Sequence, residues 1–105
     1  MAWIILLFAG LFEIVWATGM KLSAGFTRPA ASAVTIGAMI ASFTLLSLAM
    51  RHLPLGAAYM VWTGIGALGA FVVGILMFGE AISAPRLLAA AMILSGIVLM
   101  KLTST

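Results

Sequence analysis

The sequence predicts an all-α membrane protein, a single domain over residues 1–105 with four transmembrane helices. Three observations predict it. First, 66% of the 105 residues are apolar and only 7% are charged, where a soluble domain carries about 25% charged residues. A chain this short buries too little surface to hide that excess in a core, so lipid must be its main solvent. Second, the few charges and all three prolines divide the chain into four apolar runs. Third, no ten-residue segments of alternating polarity appear, which disfavours a membrane β-barrel.

The first span runs from about Ala2 to Met20, and the polar joint GFTRP follows at Gly25 to Pro29. The second span, about Ala30 to Met50, carries no charge and ends at the joint RHLP, Arg51 to Pro54. The third runs from about Leu55 to Phe78 and is followed by GEAISAPR, Gly79 to Arg86. The fourth is about Leu87 to Met100, between Arg86 and Lys101. A helix needs about 20 apolar residues to cross the hydrocarbon. The first three spans meet this. The fourth is short, but its flanking basic side chains can snorkel, and Ala81 to Pro85 can add a turn. Pro29, Pro54 and Pro85 stand at span starts, where a missing N–H is harmless.

Several functions are disfavoured by composition. The net charge of +3 comes from scattered basic residues, without the cluster that a nucleic-acid surface needs. There is no cysteine, so no disulfide or thiolate metal site is expected. His52 is a lone histidine in a joint, and no nucleophile–base pair is visible, so neither a metal, a cofactor nor an enzyme is expected. A cleaved signal peptide is also disfavoured, because the first apolar run has no basic lead and is interrupted by Glu13. Lys21, Arg28 and Arg86 fall on one side of the membrane, Arg51 and Lys101 on the other. That balance is too even to orient the chain by its positive charges, so copies are expected to insert both ways.

Glu13 is the anomaly. It lies about 16 Å along the first helix, near the midplane. An acid there is costly and marks a functional site by default, facing the interior. Hydrocarbon penalises its ionised form, and a nearby cation favours that form again. Such a group holds a proton or a cation but not both, which is the chemistry of an exchanger. The competing reading is a neutral acid acting as interhelical glue. Trp16 shares the face of Glu13 at i+3, and Tyr59 and Trp62 are paired in the same way on the third span. A carboxylate among aromatic rings suits an organic cation. The alternative for such aromatics is interfacial anchoring, which fits Trp3 well and the deeper Trp62 poorly. Ser42 is a mid-span hydroxyl, and such a serine commonly bonds its own i−4 carbonyl.

Glycine-rich and small-residue stretches mark packing. The third span is long enough to require tilt or a bend, and Gly64-Ile65-Gly66 is the candidate hinge. The alternative is a groove that receives a neighbouring side chain. In the fourth span Ala89 and Gly96 lie on one face, as a dimer seam or as packing within the monomer.

Taken together, the lone Glu13, KLSAGFTR, YMVWTGIG and the small residues of the fourth span resemble the small multidrug resistance family over essentially the whole chain. The resemblance implies a proton-coupled antiporter, multi-pass in a bacterial inner membrane. It further implies an antiparallel homodimer, in which two oppositely inserted copies bring two acids into one site. Carried over, Glu13 is the acid that binds substrate and proton, Tyr59 and Trp62 line the site, and Gly64-Ile65-Gly66 is the kink of the third helix. Ala89 replaces a glycine frequent in the family's seam, whereas Gly96 matches it. Glu13-Ile14-Val15-Trp16 and the later WTGIGALGA look like the guanidinium-exporting subtype, which implies that Trp16 and Ser42 join Tyr59 and Trp62 in a hydrogen-bond network around Glu13. The expected partners are therefore guanidinium, protons, the lipid bilayer and a second copy. The alternatives are an exporter of quaternary ammonium and aromatic cations, and a non-transporting membrane subunit.

Overall fold

A computed structural model describes residues 1–103. The described chain contains four helices: α1 Ala2–Leu22, α2 Pro29–Ala49, α3 Leu55–Phe78 and α4 Ala84–Thr103. All four are long and apolar enough to cross a membrane, so the chain is a multi-pass membrane protein. Pro29 opens α2, Pro54 immediately precedes α3, and Pro85 is the second residue of α4. At these positions a helix loses no internal hydrogen bond.

The main departure from expectation is α4. It takes in Arg86 and Lys101, which apolar length alone places at its borders, and begins where the Ser83 hydroxyl receives the Arg86 N–H. Twenty residues span about 30 Å, enough to cross the hydrocarbon, with Arg86 and Lys101 near the two ends of the helix. Lys101 lies over the Trp3 ring, 5.6 Å from its centroid, which ties the end of α4 to the start of α1.

The turn between α1 and α2 explains much of KLSAGFTR. Ser23 is fully buried; its hydroxyl donates to the Met20 carbonyl (2.7 Å) and accepts the Phe26 N–H (3.0 Å). Ala24, Gly25 and Phe26 all have positive φ, of 50, 76 and 65°. A left-handed run of this kind is costly for residues with a Cβ and needs such side-chain bonds to hold it.

The four helices form a layer, not a closed bundle. Neighbours follow the order α2, α1, α3, α4, with only a light contact from α2 to α3. The extents are 42 × 35 × 16 Å. The shortest is little more than one helix diameter of about 10–12 Å. Leu6, Ala9, Leu46, Ala49, Ala58, Val61 and Trp62 form the small core where α1, α2 and α3 meet. No residue of α4 is buried.

Candidate functional site

The middle of the layer is built on glycines that accept side chains. A Cβ at Gly66 would collide with the Glu13 carboxyl, and one at Gly69 with the Ile14 side chain. In return, a Cβ at Gly10 of α1 would lie 2.7 Å from Ile65 Cβ. Close approach of small residues replaces the hydrophobic drive that lipid removes, so these three contacts set the α1–α3 register. Gly64 accepts Ile97 of α4 instead: a Cβ at Gly64 would lie 2.6 Å from Ile97 Cδ1. Two residues apart on a helix means roughly opposite faces, so Gly64-Ile65-Gly66 serves both neighbours of α3. The helix is continuous through this segment. Here Gly64 and Gly66 act as grooves for side chains, the alternative that the sequence left open beside a hinge.

Glu13 is half-buried, and its Oε1 is buried without a hydrogen-bond partner among the described residues. Trp16, one turn on, is in the same condition: its Nε1 is buried and unpartnered. Each such atom forfeits the bonds it would make in water. An acceptor and a donor left this way, three residues apart on one helix face, point to a polar or charged occupant.

The neighbouring polar chain runs through Ser42. Trp62 Nε1 donates to Ser42 Oγ at 3.0 Å, and Ser42 donates to the Ala9 carbonyl at 2.7 Å. This corrects the expectation that Ser42 bonds its own i−4 carbonyl; the hydroxyl is fully buried against α1, and its bond there joins two helices. The Ala9 carbonyl is also the i−4 acceptor of the Glu13 N–H within α1. Ser42 and Trp62 are thus anchored to the backbone turn that carries the acid. Among the described residues none of Trp16, Ser42, Tyr59 or Trp62 donates to the Glu13 carboxyl.

The aromatic groups form one file. Tyr59 and Trp62 have ring centroids 5.5 Å apart, Trp62 and Phe43 5.9 Å, and Phe43 and Trp16 6.2 Å, all in inclined geometries. These are favourable spacings for ring quadrupoles. Trp62 is buried, whereas Tyr59 is half exposed at the open side of the layer. Phe43 is the member that sequence reasoning missed. It follows Ser42 in a charge-free span, and neither charge nor period distinguishes it there. Ala89 and Gly96 are exposed on α4, and a Cβ at Gly96 would meet nothing within 4 Å.

The family model described as Small Multidrug Resistance protein matches residues 1–94. The chain is 56% identical over 104 residues to the "Guanidinium exporter" of Citrobacter freundii, covering 99% of both chains. It is 56% identical to the protein of that name from Proteus vulgaris, covering 99% of this chain and 100% of the other. It is 54% identical to that from Salmonella typhi, covering 99% of each.

Proposed function

The chain belongs to the small multidrug resistance family, and from that premise we propose that it exports guanidinium across a bacterial inner membrane in exchange for protons. Such membership makes it a transporter and not an enzyme. The observation that carries the reading is the midspan Glu13, whose buried carboxylate oxygen lacks a partner among the described residues. A planar guanidinium with its fork of N–H groups suits a carboxylate, and the two bonds replace part of its lost hydration. The aromatic file offers ring faces to the same cation. Trp16 occupies space beside the acid, which favours a small cation over a bulky aromatic one.

The working unit is a homodimer of oppositely inserted copies, with two Glu13 groups in one site. Support comes from the layer geometry, which leaves the site at an open face, from the even charge balance, and from the exposed small residues Ala89 and Gly96 as a seam. A deprotonated pair binds guanidinium; protonation releases it; either loaded form permits the site to change sides. Because proton and cation compete for the same oxygens, neither passes without the other leaving.

In vesicles containing the purified chain, adding guanidinium to one side is expected to drive protons to that side, with little response to a large tetraaryl cation. A response to the tetraaryl cation alone would transfer the assignment to quaternary-ammonium export, and no coupled proton movement would leave a non-transporting subunit. A reporter fused to the C-terminus is expected to read out on both sides of the membrane; a one-sided signal rules out opposite insertion.

A further inference from the structure

The chain has only two acidic residues, and both rest on glycines of the same face of α3. Glu13 lies against Gly66, and Glu80, in the loop after α3, lies against Gly74. Gly66, Ala70, Gly74 and Phe78 recur every fourth residue, as do Glu13, Ala17 and Lys21 on α1, so each set forms one stripe. The stripes face each other along the α1–α3 seam. Eight residues separate the two glycines, about 12 Å along the axis. A cavity of about 160 Å³ lies in that seam, walled by Thr18, Lys21, Gly74, Phe78 and Glu80. Its inner end is at Ala17 and Ala70, one turn, or about 6 Å, short of Glu13 and Gly66. Such space exceeds the ~15 Å³ needed to admit one water. Polar partners for water are present: the Thr18 hydroxyl, whose proton is committed to the Ile14 carbonyl (2.8 Å), keeps its oxygen able to accept, and Lys21 and Glu80 stand at the outer end.

We propose that this cavity is the proton port of Glu13, with Glu80 passing protons between the aqueous face and the cavity water. Two charged groups line the mouth, Glu80 and Lys21 of α1, the latter held 5.8 Å from the Phe78 ring centroid, and behind them Arg86 of α4 stands 3.8 Å from the Glu80 carboxylate. Two cations against one carboxylate disfavour a resident organic cation. A proton needs no residence there, because it crosses by exchange of O–H bonds. In the step, Glu80 takes a proton from the aqueous phase and gives it to cavity water, and a further water relays one across the remaining turn to the Glu13 carboxylate. Glu80 and the water recover their charges; the aqueous phase has lost one proton and Glu13 has gained one. In a dimer of opposite copies, coupling requires that only the port on the side to which the site is open connects with Glu13 at a given time.

The inference rests on Glu13 being the exchange acid, and the test separates the two claims. The full-length chain in vesicles is mixed rapidly with guanidinium, and proton release and guanidinium affinity are followed at fixed pH. Glu80→Gln is expected to slow proton release about tenfold, less than the ~10²–10⁴ of a group with no substitute, since water carries part of the traffic. Affinity should stay at the wild-type value. Gly74→Ala should slow release similarly, because its methyl displaces the Glu80 carboxylate while the acid remains, and Glu80→Asp should restore most of the rate. Wild-type rates in both Glu80→Gln and Gly74→Ala would overturn the port, as would a loss of affinity parallel to the loss of rate, which marks a cation station or a structural role. If Glu13→Gln still releases protons on mixing, the exchange reading itself fails; if it does not, only the port is at stake.

Discussion

Glu13→Gln is expected to abolish guanidinium-driven proton movement and to weaken guanidinium binding about a hundredfold. The amide keeps the size of the side chain and its seat on Gly66, so packing should survive. Two things are lost. An amide does not exchange a proton in this range, so coupling has no carrier. The charge-assisted bonds to the cation become neutral ones, and bonds to charged groups contribute about 1.5–3 kcal/mol each, so two weakened bonds account for roughly two orders of magnitude in affinity. The pH dependence supplies an independent sign. Where proton and guanidinium compete for the carboxylate, lowering the pH fills it with protons, so wild-type binding weakens as pH falls, by up to about tenfold per unit for each proton displaced. In Glu13→Gln that dependence should vanish. Calorimetric titration of guanidinium across the pH range measures both effects. A variant that binds and exchanges as the wild type does would remove Glu13 from the mechanism.

Gly66→Ala is expected to be the most damaging change that removes no polar atom. Its Cβ would occupy the place of the Glu13 carboxyl, so either the acid turns away or α1 and α3 move apart. Overpacking of this kind costs about 1–3 kcal/mol, which drawn from the bound geometry is about ten- to a hundredfold in affinity. Intrinsic helix preference works the other way, since alanine is favoured over glycine inside a helix by about 0.5–1 kcal/mol. Thermal unfolding in detergent should therefore change little while guanidinium binding falls. Gly56→Ala is the control: a Cβ there meets nothing within 4 Å, and binding should not change. Equal binding in the two variants would mean that the carboxyl does not depend on its glycine seat.

Much of the fold was legible because the bilayer imposes its rules residue by residue. Transfer into hydrocarbon depends on length and polarity, so α1, α2 and α3 could be placed to within about two residues from apolar runs and prolines alone. The ends of α4 were less legible: a basic residue beside an apolar run reads as a border, whereas Arg86 and Lys101 lie inside the helix, one beside Glu80 and the other over the Trp3 ring. The site was partly legible. Glu13 stood out because a carboxylate at midspan is costly wherever its neighbours lie, and the i, i+3 pairs Glu13–Trp16 and Tyr59–Trp62 followed from helix geometry. The partner of Ser42 was not legible, because local statistics favour its own helix and the Ala9 carbonyl is 33 residues away. Phe43 was missed for a related reason: in a span that is apolar throughout, one more ring carries no signal.

By itself the sequence determined four membrane-crossing helices, one acid at the midplane and aromatic company for it, since these follow from the local costs of charge and backbone in lipid. Tertiary structure alone decided that the helices lie in the order α2, α1, α3, α4, that Gly66 seats the acid while Gly64 receives Ile97, and that Ser42 fastens Trp62 to the turn of Glu13. A helix that is apolar all round has no polar face to reveal which side meets a neighbour. The fit of small residues to large ones across the seams makes that choice, and it exists only once the helices are packed.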